Sequence, residues 1–175
     1  MERLSGTIGG RFFAAIIPVL LGLVGAIATN MPISVLGPWM PTPLISLMAV
    51  YFWCLVRPDL MTPTWAFLIG LTEDILSGGP PGVWAASYVA TYAVINRQRD
   101  AFAGLSGWGA LLGFAAAALV ACSTAYVVIS FYHWRLLPPS PVVSEFAMTV
   151  LCYLPAVFVL GAVHRRFVGP LRSDF

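Results

Sequence analysis

The feature that most restricts the fold is a series of six apolar runs separated by short polar breaks. The runs are Phe12–Thr29, Thr42–Val56, Leu60–Leu76, Gly82–Asn96, Leu105–Phe131 and Val142–Val163. A bilayer core about 30 Å thick needs roughly 20 residues of helix to cross it, with about 17 as a workable minimum. We therefore predict an all-α polytopic membrane protein, with a single transmembrane domain over residues 1–175 built as a six-transmembrane-helix bundle.

The second, third and fourth runs are short for membrane spans. Neighbouring helices that shield them, or a locally thinner bilayer, would accommodate this length. A count of four helices would merge the second and third runs, but Arg57, Pro58 and Asp59 interrupt that stretch. The sequence favours six.

The composition excludes a sizeable soluble domain. Charged residues make up 9% of the chain and hydrophobic residues 59%, with a mean hydropathy of +0.88. Soluble domains carry about a quarter charged residues. The net charge of +2 is small and indicates no nucleic-acid surface.

The basic residues predict the orientation. All are arginines, and with six helices eight of them fall on one side of the membrane, whereas only Arg135 falls on the other. The eight are Arg3, Arg11, Arg57, Arg97, Arg99, Arg165, Arg166 and Arg172. Arginine-rich loops stay in the cytoplasm, so both termini should be cytoplasmic. The first run lacks a small-x-small cleavage site and is interpreted as a membrane helix rather than a signal peptide.

Small residues form a stripe along the fifth run. Gly109, Gly113, Ala117, Ala121 and Ala125 recur every four residues. Such stripes let helix backbones approach closely in lipid. Either the stripe packs inside this chain, or it forms a groove for a helix of another protein.

Two adjacent acids, Glu73 and Asp74, lie near the end of the third run, where burial in a membrane is costly. They also lie near a helix C-terminus, which disfavours negative charge. Compensation would come from Arg135, from backbone amides of the Ser77–Gly82 turn, or from protonation. One acid capping the glycine turn is the structural interpretation, and Asp74 is the stronger functional candidate. Glu145, near a helix start, is expected to be structural.

The fourth run places Trp84, Tyr88 and Tyr92 on one helix face. They would line a cavity or contact a partner, or they would face lipid near the headgroups.

Catalysis has little support. His133 and His164 are expected at opposite membrane faces, and the sequence shows neither a nucleophile motif nor a phosphate loop. The three cysteines, Cys54, Cys122 and Cys152, lie in apolar runs and are interpreted as buried hydrophobes. We predict no enzyme activity, no metal and no cofactor.

An ordered motif runs through the second to fourth segments. Its positions are Pro43, Tyr51 with Trp53, Pro58, and then Gly70, Asp74, Gly78 and Gly82 as G-x-x-x-D-x-x-x-G followed by another glycine. The motif resembles that of the rod shape-determining protein MreD family. Two departures affect the surroundings of Asp74: Glu73 stands where an apolar residue is usual, and Pro80–Pro81 stiffens the turn.

The resemblance implies a non-enzymatic scaffold of the bacterial cell-elongation (rod) complex in the inner membrane, which supports peptidoglycan synthesis and rod shape. MreC would be the direct partner, through its membrane helix. MreB, RodA and a penicillin-binding transpeptidase would join a wider complex, with membrane lipid around it. The fold would be similar to the substrate-binding subunits of energy-coupling-factor transporters.

On this interpretation the small-residue stripe is a groove for the partner helix, and a pocket around Asp74, Trp84 and Tyr88 opens to the outside. The alternative is a solute-binding membrane subunit of a vitamin-type transporter, in which that pocket takes a small molecule. A third possibility is an intramembrane enzyme acting on a lipid-linked wall precursor through Asp74 or His133.

Overall fold

The computed structural model describes residues 8–31, 41–98 and 108–168. In these ranges it contains six α-helices and no strand. The helices are α1 (Ile8–Asn30), α2 (Ile45–Val56), α3 (Pro63–Ser77), α4 (Val83–Arg97), α5 (Trp108–Tyr132) and α6 (Ser140–Val163), and α6 continues into a π-helical turn at His164–Val168. The all-α prediction is confirmed for this part of the chain.

Local sequence signals explain where the short helices begin. Since a residue before proline avoids the helical region, α2 starts at Ile45, beyond Pro43, rather than at Thr42. At α3, Thr62 accepts a hydrogen bond from the backbone N–H of Trp65, and Pro63 occupies the first turn. This cap makes α3 begin at Pro63 instead of Leu60.

Helix α2 is the centre of the bundle. Every residue from Ser46 to Cys54 is buried, and the helix contacts α1, α4, α5 and α6. A helix that is apolar on all sides is stable only when surrounded. Its neighbours therefore shield α2, which is only 12 residues long.

An aromatic group joins α2 to the last two helices. The ring of Tyr51 lies edge-on to Phe114 and Tyr153, with centroid distances of 5.3 and 5.8 Å. Phe114 and Tyr153 stack at 4.0 Å. Trp53 is fully buried and lies 5.8 Å from the ring of His164. The aromatic residues of the second segment are thus core residues.

Two glycines allow backbones to touch. A Cβ on Gly25 of α1 would lie 2.8 Å from the Ser46 backbone of α2, and one on Gly70 of α3 would lie 2.6 Å from the Trp84 carbonyl oxygen. Such distances are below any van der Waals contact. Glycine is therefore required where α1 crosses α2 and where α3 meets α4.

The exterior of the bundle is apolar. Large side chains such as Val24 of α1, Ile75 of α3, Leu112 of α5 and Phe158 of α6 are 58–75% exposed. Two helices, Gly109–Tyr132 and Ser140–Arg166, are long and apolar enough to cross a membrane. Thr149 of the second of these helices is fully buried, whereas Ser123 of the first is exposed.

Candidate functional site

The two adjacent acids lie at the end of the bundle where α3 ends and α4 begins, which we call the Asp74 end. Glu73 and Asp74 are only 1% and 3% exposed. The opposite end, where α2 ends and α3 begins, carries the ion pair between Arg57 and Asp59 at 2.8 Å, and we call it the Arg57 end. Hydrogen bonding to Asp59 raises the pKa of Arg57.

Asp74 holds the first turn of α4. Its carboxyl oxygens accept hydrogen bonds from the backbone N–H groups of Gly82, Trp84 and Ala85, at 2.9, 2.8 and 3.1 Å. Gly82, the residue that precedes α4, has no side chain to cap it. The carboxyl group of the preceding helix therefore satisfies N–H groups that a helix start leaves without partners.

This geometry explains how an acid is tolerated near the C-terminus of α3. The same carboxyl group faces the N-terminus of α4, where the helix dipole favours negative charge. Of the predicted amides of the Ser77–Gly82 turn, only that of Gly82 takes part, and the other two contacts come from amides inside α4. The turn between the helices reverses at Gly78 and Gly82, both with positive φ (65° and 94°), a conformation that favours glycine.

Glu73 points the other way and joins four helices. Its Oε1 accepts a hydrogen bond from Asn30 Nδ2 of α1 at 2.6 Å, and its Oε2 accepts one from Ser46 Oγ of α2 at 2.6 Å. Ser46 Oγ also lies 2.5 Å from the hydroxyl of Tyr88 on α4. We call Asn30, Ser46, Glu73 and Tyr88 the polar cluster; it ties α1, α2, α3 and α4 together.

Two threonines close the start of α2 beside this cluster. Thr29 Oγ1 accepts from the Ile45 N–H at 3.1 Å, and Thr149 Oγ1 of α6 accepts from the Leu44 N–H at 3.0 Å. Side chains of α1 and α6 thus satisfy backbone donors of the central helix. The Asp74 end of the first four helices is closed by hydrogen bonds within the chain.

Among the described residues, Asp74, Trp84 and Tyr88 do not line the open pocket that was expected around them. Tyr88 is fully buried, and Asp74 has both oxygens engaged by α4. Trp84 is half-buried with its ring 6.2 Å from that of Tyr88. The expectation failed because the sequence does not reveal that the start of α4 lies close enough to Asp74 for its backbone N–H groups to hydrogen-bond both carboxyl oxygens.

The small-residue stripe is mostly buried inside the chain. Gly113, Ala117, Ala121 and Ala125 are buried, and Gly109 is half-buried. Helix α5 packs most extensively against α4. Of the two interpretations, packing within this chain is the one seen, so the stripe offers no open groove to a partner.

The remaining candidates lie apart from the acids. Pro43, Pro58 and Tyr92 are all half-buried: Pro43 lies just before α2, Pro58 lies in the connection between α2 and α3, and Tyr92 lies within α4. His133 follows α5 at the Asp74 end, while His164 follows α6 at the Arg57 end, so the structure does not bring the two histidines together. Within the described residues, no group of three or more His, Cys, Asp or Glu side chains is placed to hold a metal ion.

Sequence reasoning missed the partners of Glu73. Asn30 directly follows the first apolar run, and Ser46 lies near the start of the second. Of the two threonines beside the cluster, Thr29 ends the first run and Thr149 lies inside the sixth. A polar residue at the boundary of a span is ordinarily interpreted as facing water. A buried acid nearby, which needs donors, was the signal available for finding them.

Taken together, the described residues form an all-helical bundle with a mainly apolar exterior, in which the two buried acids are paired with donors of the same chain. The chain is similar to the rod shape-determining protein MreD of Haemophilus influenzae. The two sequences are 27% identical over 143 residues, which cover 76% of this chain and 84% of that protein. No family model and no solved structure matches the chain. The expected likeness to transporter subunits therefore stays a prediction.

Proposed function

We propose that all six helices cross the bacterial inner membrane and that both termini lie in the cytoplasm. Exposed apolar side chains on α1, α3, α5 and α6 support this, because contiguous surfaces of this kind are rare in water-soluble monomers. The described arginines Arg57, Arg97, Arg165 and Arg166 belong to the Arg57 end, and Arg135 belongs to the other. Arg-rich loops mark the cytoplasmic side.

Within that membrane, the protein acts as a non-enzymatic scaffold of the cell-elongation (rod) complex. It binds the membrane helix of MreC and supports peptidoglycan synthesis and rod shape, with MreB, RodA and a penicillin-binding transpeptidase in the wider complex. The observation that carries this proposal is the similarity to the MreD protein, which extends well beyond the motif between Pro43 and Gly82.

The acids contribute to this function by holding the bundle rigid. Asp74 holds α3 and α4 in a fixed arrangement. Glu73 joins α3 to α1 and α2 directly, and to α4 through Ser46. A scaffold has to present a constant surface to its partner. On this view the partner is recognised by an outer helix face, and the buried acids keep that face in place.

Depletion in the native bacterium tests the function. Rod-shaped cells should become round when the protein is lost, and the wild-type gene should restore them. Affinity purification from solubilised membranes should recover MreC in comparable amount. Recovery of a transporter ATPase or a stoichiometric vitamin, with rod shape unaffected by depletion, would overturn the proposal.

Site-specific photo-cross-linking locates the surface that binds MreC. A cross-linker is placed in turn at exposed Val24, Ile75, Leu112 and Leu151, and at buried Ile69 as the control. One or two neighbouring helices should capture MreC, whereas the buried control should not. Equal capture from every helix would contradict a defined interface.

A further inference from the structure

The last two helices leave an open groove at the Asp74 end, which we call the α5–α6 groove. It consists of two cavities of about 240 and 420 Å³ that share Tyr126 and Val127. The first lies between α5 and α6, beside Leu119 and Phe146. The second reaches the connection that follows α5. The two cavities therefore adjoin along the outer surface of these two helices.

Both parts of the groove are lined mainly by apolar surface, and the second also carries a cation. The walls of the first are almost wholly apolar, with Val143 as an exposed edge. The second contains Arg135, whose side chain is exposed and forms no ion pair with the described residues. Ser130 lines it too, and its buried hydroxyl has no hydrogen-bond partner in the described part of the chain.

We propose that the α5–α6 groove binds one anionic phospholipid, with an acyl chain in the first cavity and the phosphate on Arg135. A guanidinium matches a phosphate in charge and in donor geometry. The proposal rests on the membrane location proposed above, but not on MreC.

A phospholipid fits this groove better than a helix from another protein does. Helices associate in lipid through small residues that let backbones approach. The small residues of α5 are buried elsewhere, and the groove presents the large side chains of Leu119, Tyr126 and Phe146. A flexible chain fills such a space, and the cation lies at the end where a headgroup would be.

Native mass spectrometry tests the site. The purified protein is equilibrated with vesicles of equal parts phosphatidylglycerol and phosphatidylethanolamine and is then released from detergent micelles. Wild type should retain one phosphatidylglycerol. Arg135→Gln should reduce the preference for phosphatidylglycerol over phosphatidylethanolamine roughly tenfold, which is the loss expected for one charge-assisted contact. Arg97→Gln, at the other end of the bundle, is the matched control and should retain it.

Filling the groove gives a second, independent readout. Val143→Trp places a large ring in the first cavity and should abolish retention of the lipid, whereas Leu151→Trp, exposed on the same helix outside the groove, should not. Circular dichroism confirms that each variant is folded.

The proposal would be overturned if Arg135→Gln and Arg97→Gln retained phosphatidylglycerol equally well. It would also be overturned if wild type retained several lipids without preference for a headgroup. A third contrary result would be that Val143→Trp loses a bound protein instead of a lipid. Recovery of MreC is followed in the same samples. If MreC is absent while the lipid is retained, only the scaffold proposal fails.

Discussion

The two halves of the Asp74 end are built in contrasting ways. Among the first four helices, Glu73 and Asp74 are almost completely buried and accept five hydrogen bonds from backbone and side-chain donors. Where α5 turns into α6, Trp134 and Leu136 are 83% and 84% exposed. In the described residues, the buried polar groups of the first half are therefore paired within the chain, whereas the second half exposes large apolar and aromatic side chains.

The largest effect is expected from Asp74→Ala. It leaves three backbone donors at the start of α4 without acceptors. The free energy of unfolding should fall by about 3–5 kcal/mol. Hydrogen bonds to a charged group contribute about 1.5–3 kcal/mol each, and the three contributions are not additive. Thermal unfolding followed by a thiol-reactive dye measures this, because Cys54 and Cys122 are buried in the folded chain.

Asp59→Ala is the control for that variant. Asp59 has a half-exposed side chain paired with Arg57, and surface pairs contribute at most about 1 kcal/mol. If the two variants unfold at the same temperature, Asp74 does not hold α4.

Glu73→Ala is expected to have the next largest effect, about 2–4 kcal/mol. It removes the acceptor for Asn30 and Ser46 and leaves a space among four helices. Glu73→Gln should cost less, because its amide keeps one acceptor oxygen and donates to Ser46. The same dye assay ranks the two. A glutamine variant as unstable as the alanine variant would contradict the hydrogen-bond account.

Gly70→Ala separates close packing from backbone strain. The added methyl group would overlap the Trp84 and Ala85 backbone and push α3 from α4, at about 1–3 kcal/mol. Gly78→Ala meets no atom within 4 Å and should cost only the strain of its positive φ, about 1 kcal/mol. Melting temperatures in the reverse order would show that the two helices do not touch at Gly70.

The smallest effect is expected in the open half. Tyr126→Phe removes the hydrogen bond from the Tyr126 hydroxyl to the Leu137 carbonyl oxygen at 2.9 Å. The free energy of unfolding should fall by about 0.5–1.5 kcal/mol. Hydrogen exchange of the connection that follows α5 should increase, while exchange in α4 stays unchanged. A loss as large as that of Glu73→Ala would remove the contrast between the halves.

The sequence predicted the helices because their signals are local. Apolar runs and the interruption at Arg57–Asp59 require no knowledge of neighbours. Among the helix ends that have described residues on both sides, the largest differences are at the starts of α2 and α3, which begin at Ile45 and Pro63 rather than at Thr42 and Leu60. Prolines inside apolar runs did not end helices, since α1 continues through Pro18 and α6 through Pro155.

The site depended on long-range contacts, which the sequence does not specify. Glu73 and Asn30 are 43 residues apart, and Leu44 and Thr149 are 105 apart. Adjacent helix positions lie 100° apart, so Glu73 and Asp74 point in different directions. Which helix receives each acid depends on packing, and for that reason a pocket was expected where the structure has a hydrogen-bonded helix start.

A double-mutant cycle between Asn30 and Glu73 tests the central claim most directly. The claim is that the buried acids join helices from within the chain. The free energy of unfolding is measured for Asn30→Ala, Glu73→Ala and the double variant. A coupling energy of about 1–3 kcal/mol is predicted for two groups in direct contact. Additive effects, with no coupling, would show that Glu73 does not bind α1 and would contradict the account.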